Sequence, residues 1–128
     1  MSKNLIGVRT SYKGSLTKWF NYVAKMDEKN VARADYESWS EKIKELTAKL
    51  EANHTEICGS VTNQADIDDA VADYDGTLDK ILDLGSILNR IQEHIKEREE
   101  QKALKQRTAD IIATANAQAA AQPANTAS

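Results

Sequence analysis

Between Ile67 and Ile95, apolar side chains return at strict seven-residue spacing: Ile67, Tyr74, Ile81, Leu88 and Ile95. A second row at Val71 and Leu78 passes over into Leu84 and Ile91. An ideal helix drifts by about 20° per heptad, so this shift is what a fairly straight helix produces. The stripe is two or three positions wide per heptad, with aspartates on the other faces. So narrow a stripe is satisfied only by burial against other helices.

The preceding chain supplies two such partners. Over Leu5 to Met26, the residues Leu5, Val8, Tyr12, Leu16, Trp19, Val23 and Met26 alternate spacings of three and four, which predicts one buried helical face. Gly7 and Gly14 lie inside this helix and, with Ser11, form either a small-residue stripe where another backbone can approach closely or simply a weak or kinked stretch of helix. Asp27–Asn30 reads as a short connection, with Asn30 as N-cap of the next helix. Over Val31 to Ile57, Tyr36, Ile43, Leu50 and Ile57 form one heptad row, and Trp39, Leu46 and Asn53 the other. Asn53 is the polar member of that seam, placed either to fix register or partner number or to lie at a frayed end. The short link makes the first two helices antiparallel neighbours.

Cys58-Gly59-Ser60 is expected to stop the second helix, with Gly59 as its left-handed C-terminal residue. Thr62 or Asn63 caps a third helix over 66–101, whose first turns hold Asp66, Asp68 and Asp69 where acids complement the helix dipole. From Lys96 onward this helix is charged on every side and is expected to project into solvent. From Ala103 the composition turns to alanine, then Gln, Asn, Thr, Ser and the single proline, Pro123. Helix propensity persists to about Ala121, so 103–128 reads as a fraying helix and a disordered linker. The pattern predicts an all-α fold: an antiparallel three-helix coiled-coil bundle or helical hairpin over 1–102, with a long third helix and a floppy tail.

Charge changes the picture locally. The net charge of −3 argues against a surface that coats nucleic acid or anionic membrane throughout. Residues 1–26 nevertheless carry Lys3, Arg9, Lys13, Lys18 and Lys25 and no acid, while residues 60–85 carry seven aspartates against Lys80 alone. Lys3, Arg9, Lys13 and Lys18 form a candidate basic patch for nucleic acid or a membrane surface. The simpler use of this charge is to lie beside the acidic start of the third helix.

Candidate chemistry is sparse. Cys58 is the only cysteine, which leaves no intramolecular disulfide and no zinc knuckle. Asp73, Asp75 and Gly76 fit positions 3, 5 and 6 of a calcium loop, but Val71 and Leu82 then occupy positions 1 and 12, which need oxygen ligands. Glu51, His54 and Cys58 share helical spacing as a partial metal set, but polar exposure on two faces near a helix end is the favoured account of them. His94 reads as a solvent-side residue. The Asn53-His54-Thr55 glycosylation pattern sits in a helix and is expected to be unused. No phosphate-cradling glycine loop and no activated nucleophile is recognisable. The expectation is a protein that is not an enzyme, with no cofactor, no metal and no small-molecule substrate. Without a secretory signal or a membrane-length apolar run, it is expected to be soluble and cytoplasmic.

The segment from Val8 to Tyr22, with Lys13-Gly14-Ser15-Leu16-Thr17-Lys18 at its centre, resembles the opening of the Gag region in Pao/BEL-type LTR retrotransposon polyproteins. Ile43-Lys44-Glu45-Leu46-Thr47-Ala48-Lys49-Leu50 matches that family's leucine-rich second helix, and Asp66 to Tyr74 its acidic, tyrosine-bearing lead into a third. The likeness spans about residues 5–95. It implies a structural module that helps assemble a virus-like particle, with itself or other Gag-like chains as partners. The family's capsid region, zinc knuckle, protease and polymerase do not occur in these 128 residues. The chain is then expected to be a fragment, a degenerate copy or a small protein reusing the module, and RNA packaging does not carry over. Residues assigned to association are Trp19, Trp39, Ile43, Leu50, Asn53, Tyr74, Ile81 and Leu88. A monomeric spectrin-like spacer, with every stripe consumed internally, is the first alternative. Weak nucleic-acid or membrane-surface binding through the basic first helix is the second.

Overall fold

The structure, a computed structural model, describes residues 2–120, with side chains from Asn4 onward. These form three helices: α1 (Ser2–Ala24), α2 (Arg33–Ser60) and α3 (Gln64–Ala120). All three pairs pack against one another. Cross-helix bonds give the register. Arg9 and Thr17 of α1 meet Asp73 and Lys80 of α3, and Glu28, just beyond α1, meets Arg90. Contacts therefore ascend along α1 and α3 together. They descend along α2, where Asn53 meets Arg9 and Trp39 meets Tyr22.

The core follows the heptad rows over most of its length. Leu16 and Val23 of α1, Trp39, Ile43, Leu46 and Leu50 of α2, and Leu84, Leu88, Ile91 and Ile95 of α3 form one cluster with Val31 and Ile87. Leu50, Leu84 and Ile91 lose essentially all contact with solvent. Trp19, Tyr36 and Ile81 pack against the cluster while half-buried. At the acidic end of α3 the expected second row fails. Val71 and Leu78 are exposed, and Ala70 and Thr77 take the inward positions instead.

The helix ends differ from expectation in three places. Asn30 does not cap α2. It bonds Asp27 Oδ2 at 2.5 Å within the connection, and Ala32, in extended backbone, is the N-cap without a side-chain bond. Gly59 is not left-handed. α2 runs through it to Ser60, and the Val61 amide, with extended φ and ψ, closes the helix on Ile57 O. Asn63 does cap α3, accepting the Ala65 amide at 2.8 Å. Beyond Gln101, where a separate fraying helix is expected, α3 continues unbroken to Ala120. Alanine, lysine, glutamine and arginine there favour helix without tertiary support. The expected linker beyond Ala120 lies outside the described residues.

Gly7 and Gly14 serve no close approach within the chain. A Cβ built at either meets nothing within 4 Å. Both lie in regular helix without positive φ. The physical reason is angular: both fall on the solvent side of α1. Replacing either with alanine is expected to stabilise the fold by about 0.5–1 kcal/mol, measured as a higher urea midpoint with an unchanged slope.

Candidate functional site

The most organised polar constellation is one that the sequence pattern did not single out. It lies where α1, α2 and the acidic start of α3 meet, centred on Arg9, which is 5% exposed. Arg9 reaches α3 at Ala70, whose small side chain takes an inward position there. Its Nη1 donates to the Ala70 carbonyl at 3.1 Å and to Asp73 Oδ2 at 3.2 Å. Its Nε reaches Asn53 Oδ1 at 3.4 Å, and its Nη2 lies 2.6 Å from His54 Nδ1. The guanidinium carbon sits 5.8 Å from the centre of the Tyr74 ring, within cation–π range. That ring stacks on His54 at 4.0 Å and 3°.

The surroundings complete the network. Lys13 Nζ meets the other oxygen of Asp73 at 2.5 Å, so one carboxylate holds two cations of α1. Asn53 donates Nδ2 to the Leu5 carbonyl at 3.0 Å, which ties the start of α1 to α2. Burial pushes the Asp73 carboxyl up, but Lys13 and Arg9 outweigh it and hold it below the usual carboxylate range. Burial, reinforced by the Arg9 charge, lowers His54 below its ordinary value. The imidazole is then neutral near pH 7, with Nδ1 accepting from Arg9. Burial first, and Glu51 second, raise the Tyr74 hydroxyl.

This arrangement corrects the reading of Arg9 as a basic contact residue. Its charge is enclosed and spent on Asp73, because a guanidinium out of water needs a counter-ion and several acceptors. Lys13 is half-committed to the same carboxylate. Lys18 remains exposed, and the side chain of Lys3 lies outside those described. Asn53 is neither at a frayed end nor facing a partner chain, but buried and bonded between α1 and α2. His54 is likewise a network member rather than a surface group. Cys58 Sγ lies 3.6 Å from its Nε2, and Glu51 is exposed to solvent. Among the described residues no three His, Cys, Asp or Glu side chains are grouped to hold a metal ion.

The residues assigned to association divide. Trp39, Ile43, Leu50 and Leu88 are buried in the intramolecular core with Trp19 and Ile81 half-buried against it, while buried Asn53 and half-buried Tyr74 belong to the Arg9 network. Heptad spacing cannot tell a partner helix in the same chain from one in another. Trp19 and Trp39 flank Tyr22 in two edge-to-face contacts at 5.9 and 5.4 Å. They line an open cleft of about 510 Å³ with Ser15, Lys18 and Lys42.

The exposed large apolar residues were not singled out for association: Ile6 and Tyr22 on α1, Val71, Leu78 and Leu82 on the bundle part of α3, and Leu104, Ile111 and Ile112 beyond it. The last cross-helix polar contacts of α3 are those of Arg98 with the Val31 carbonyl and Glu99 with Arg33. From Lys96 to Ala120 every side chain is exposed. The overhang after Glu99 spans roughly 30 Å. No helix among the described residues is long and apolar enough to cross a membrane. No protein-family model, curated protein or solved structure matches this chain.

Proposed function

We propose that this chain is a non-enzymatic structural module that associates with copies of itself, in the Gag-like, particle-forming setting that its sequence resemblance implies. What supports the reading is the overhang of α3: a continuous helix bearing Leu104, Ile111 and Ile112 at 56%, 69% and 55% exposure, with no other helix among the described residues beside it. Helix propensity accounts for the backbone of the overhang, but its apolar side chains are covered only if another surface meets them. The bundle supplies the rigid base and the overhang the contact.

The molar mass of the full chain by light scattering, over a hundredfold concentration range, tests this. The mass is expected to rise above the monomer and to fall back in the double variant Leu104→Asp/Ile111→Asp. A constant monomer sinks the proposal and leaves the monomeric spacer. One observation favours that second reading: Leu50, Leu84 and Ile91 are wholly consumed within one chain. Nucleic-acid or membrane-surface binding through α1 loses its central residue, since Arg9 is enclosed.

A further inference from the structure

The cleft between α1 and α2 is lined by Trp19, Tyr22 and Trp39 together with Lys18, Lys42, Ser15 and Ser38. Core packing alone does not account for it. Trp39 belongs to the core cluster and Trp19 packs against it, but Tyr22 stands outside that cluster at 48% exposure, in edge-to-face contact with both indoles. The result is an aromatic floor open to water, with about 510 Å³ of space above it. That volume falls in the range of ordinary ligand pockets, which combine apolar and aromatic walls with a few placed polar groups. Here the polar groups are the exposed side chains of Lys18 and Ser15 on one wall and of Lys42 and Ser38 on the other.

The lining selects the chemistry of the ligand. Three rings without lysines would suit a quaternary ammonium, but two ammonium groups repel a cation, and no acid lines the cleft. Neither lysine is ion-paired among the described residues, in contrast to Lys13, which Asp73 holds. The cleft therefore calls for a flat ring on its floor and a compact anion at its rim. We infer that it binds a small aromatic dianion of the nucleoside monophosphate kind. The base lies against Trp19 and Tyr22 over Trp39, and the phosphate between Lys18 and Lys42. A phosphate monoester carries about two negative charges near neutral pH, one for each lysine. The neighbouring charges confine the site to one free nucleotide. One turn further out, Lys25 follows Tyr22 on α1 and Asp35 precedes Trp39 on α2, and past Lys42 come Glu45 and then Lys49. A strand would carry its further phosphates onto Asp35 and Glu45, so the positive field does not extend beyond one phosphate.

Trp19 and Trp39 are the only tryptophans of the chain, so indole fluorescence reports on this cleft alone. Adenosine monophosphate is titrated into the full chain, with free tryptophan as the absorbance control. Adenosine, inorganic phosphate and a short adenylate single strand are titrated in parallel. The monophosphate is expected to quench saturably, adenosine to bind roughly tenfold more weakly, and phosphate alone to leave the fluorescence unchanged. In the double variant Lys18→Gln/Lys42→Gln, affinity for the monophosphate is expected to fall about tenfold. Both lysines are exposed, and an unchanged circular dichroism spectrum shows that the double variant is folded. Absence of saturable quenching, adenosine binding as tightly as its monophosphate, or an unaltered affinity in the double variant overturns the site. A strand that binds far more tightly than the monophosphate at the same salt overturns the single nucleotide as occupant. The site lies on α1 and α2, so its failure leaves self-association through the overhang of α3 untouched.

Discussion

Leu84→Ala is expected to destabilise the bundle by about 3 kcal/mol, whereas Leu82→Ala, two residues away on the same helix, is expected to cost under about 0.5 kcal/mol. The two leucines differ in direction alone. Two helical positions turn the side chain by about 200°, from the exposed row into the centre of the three helices. Leu84 is 0% exposed and sits in the cluster with Leu16, Leu50 and Ile91. Truncating it removes three carbons from a close-packed site with helices on two sides, so the void closes only in part. Denaturant unfolding read by Trp19 and Trp39 fluorescence measures the difference. Both tryptophans lie in the bundle, so fraying of the overhang does not enter the signal. Similar losses at the two leucines would mean that the exposed row is covered in solution, and wild type and Leu82→Ala should then be compared at several protein concentrations.

Much of this architecture was legible because helical burial imposes a period. The rows through Leu16 and Val23, through Ile43 and Leu50, and through Leu88 and Ile95 are core positions, and their spacing in the chain already placed them on inner faces. Legibility ended where the core turns polar. Around Val71 and Leu78 the period favoured the larger hydrophobes, but the inward direction belongs to Ala70 and Thr77. At Ala70 the small size makes sense only once Arg9 is seen to enter between the helices beside it. Such a pairing joins residues 64 positions apart, and no local spacing announces it. The signal that was available was charge asymmetry: a first helix without acids opposite an aspartate-rich start of the third. That asymmetry indicated which helix ends meet but not which cation goes inside. His54 and Asn53 were obscure for the same reason, since hydrogen-bond partners decide whether a polar residue can be buried. The third-helix overhang was legible as uniform exposure after Lys96, and its reach to Ala120 followed helix propensity rather than packing.

The Arg9 network makes the fold sensitive to acid in a definite order. For His54, the folded pKa lies below the unfolded value of 6.5. The unfolded chain therefore takes up a proton that the folded chain resists, and stability present above pH 6.5 declines as pH falls through the folded value. Asp73 behaves alike but lower: its folded pKa lies below 3.8, so its contribution is complete above that value and is lost in more acidic solution. The urea midpoint of wild type is expected to decrease first just below pH 6.5 and again below about pH 4, with His54→Gln flattening the first step alone. Arg9→Met is expected to cost about 2–3 kcal/mol at neutral pH. The methionine fills part of the volume but strands the acceptors on Asn53, His54 and Ala70. Lys13 still holds Asp73, and the carboxylate is partly solvated, which keeps the loss below that of a fully buried pair. The first acid step should shrink in Arg9→Met without vanishing, because burial is the larger cause of the His54 shift and the Arg9 charge the smaller. An unchanged first step in His54→Gln would assign the acid sensitivity to another group. Full disappearance in Arg9→Met would instead make the guanidinium charge, and not the buried setting between Tyr74 and α1, the main reason His54 stays neutral.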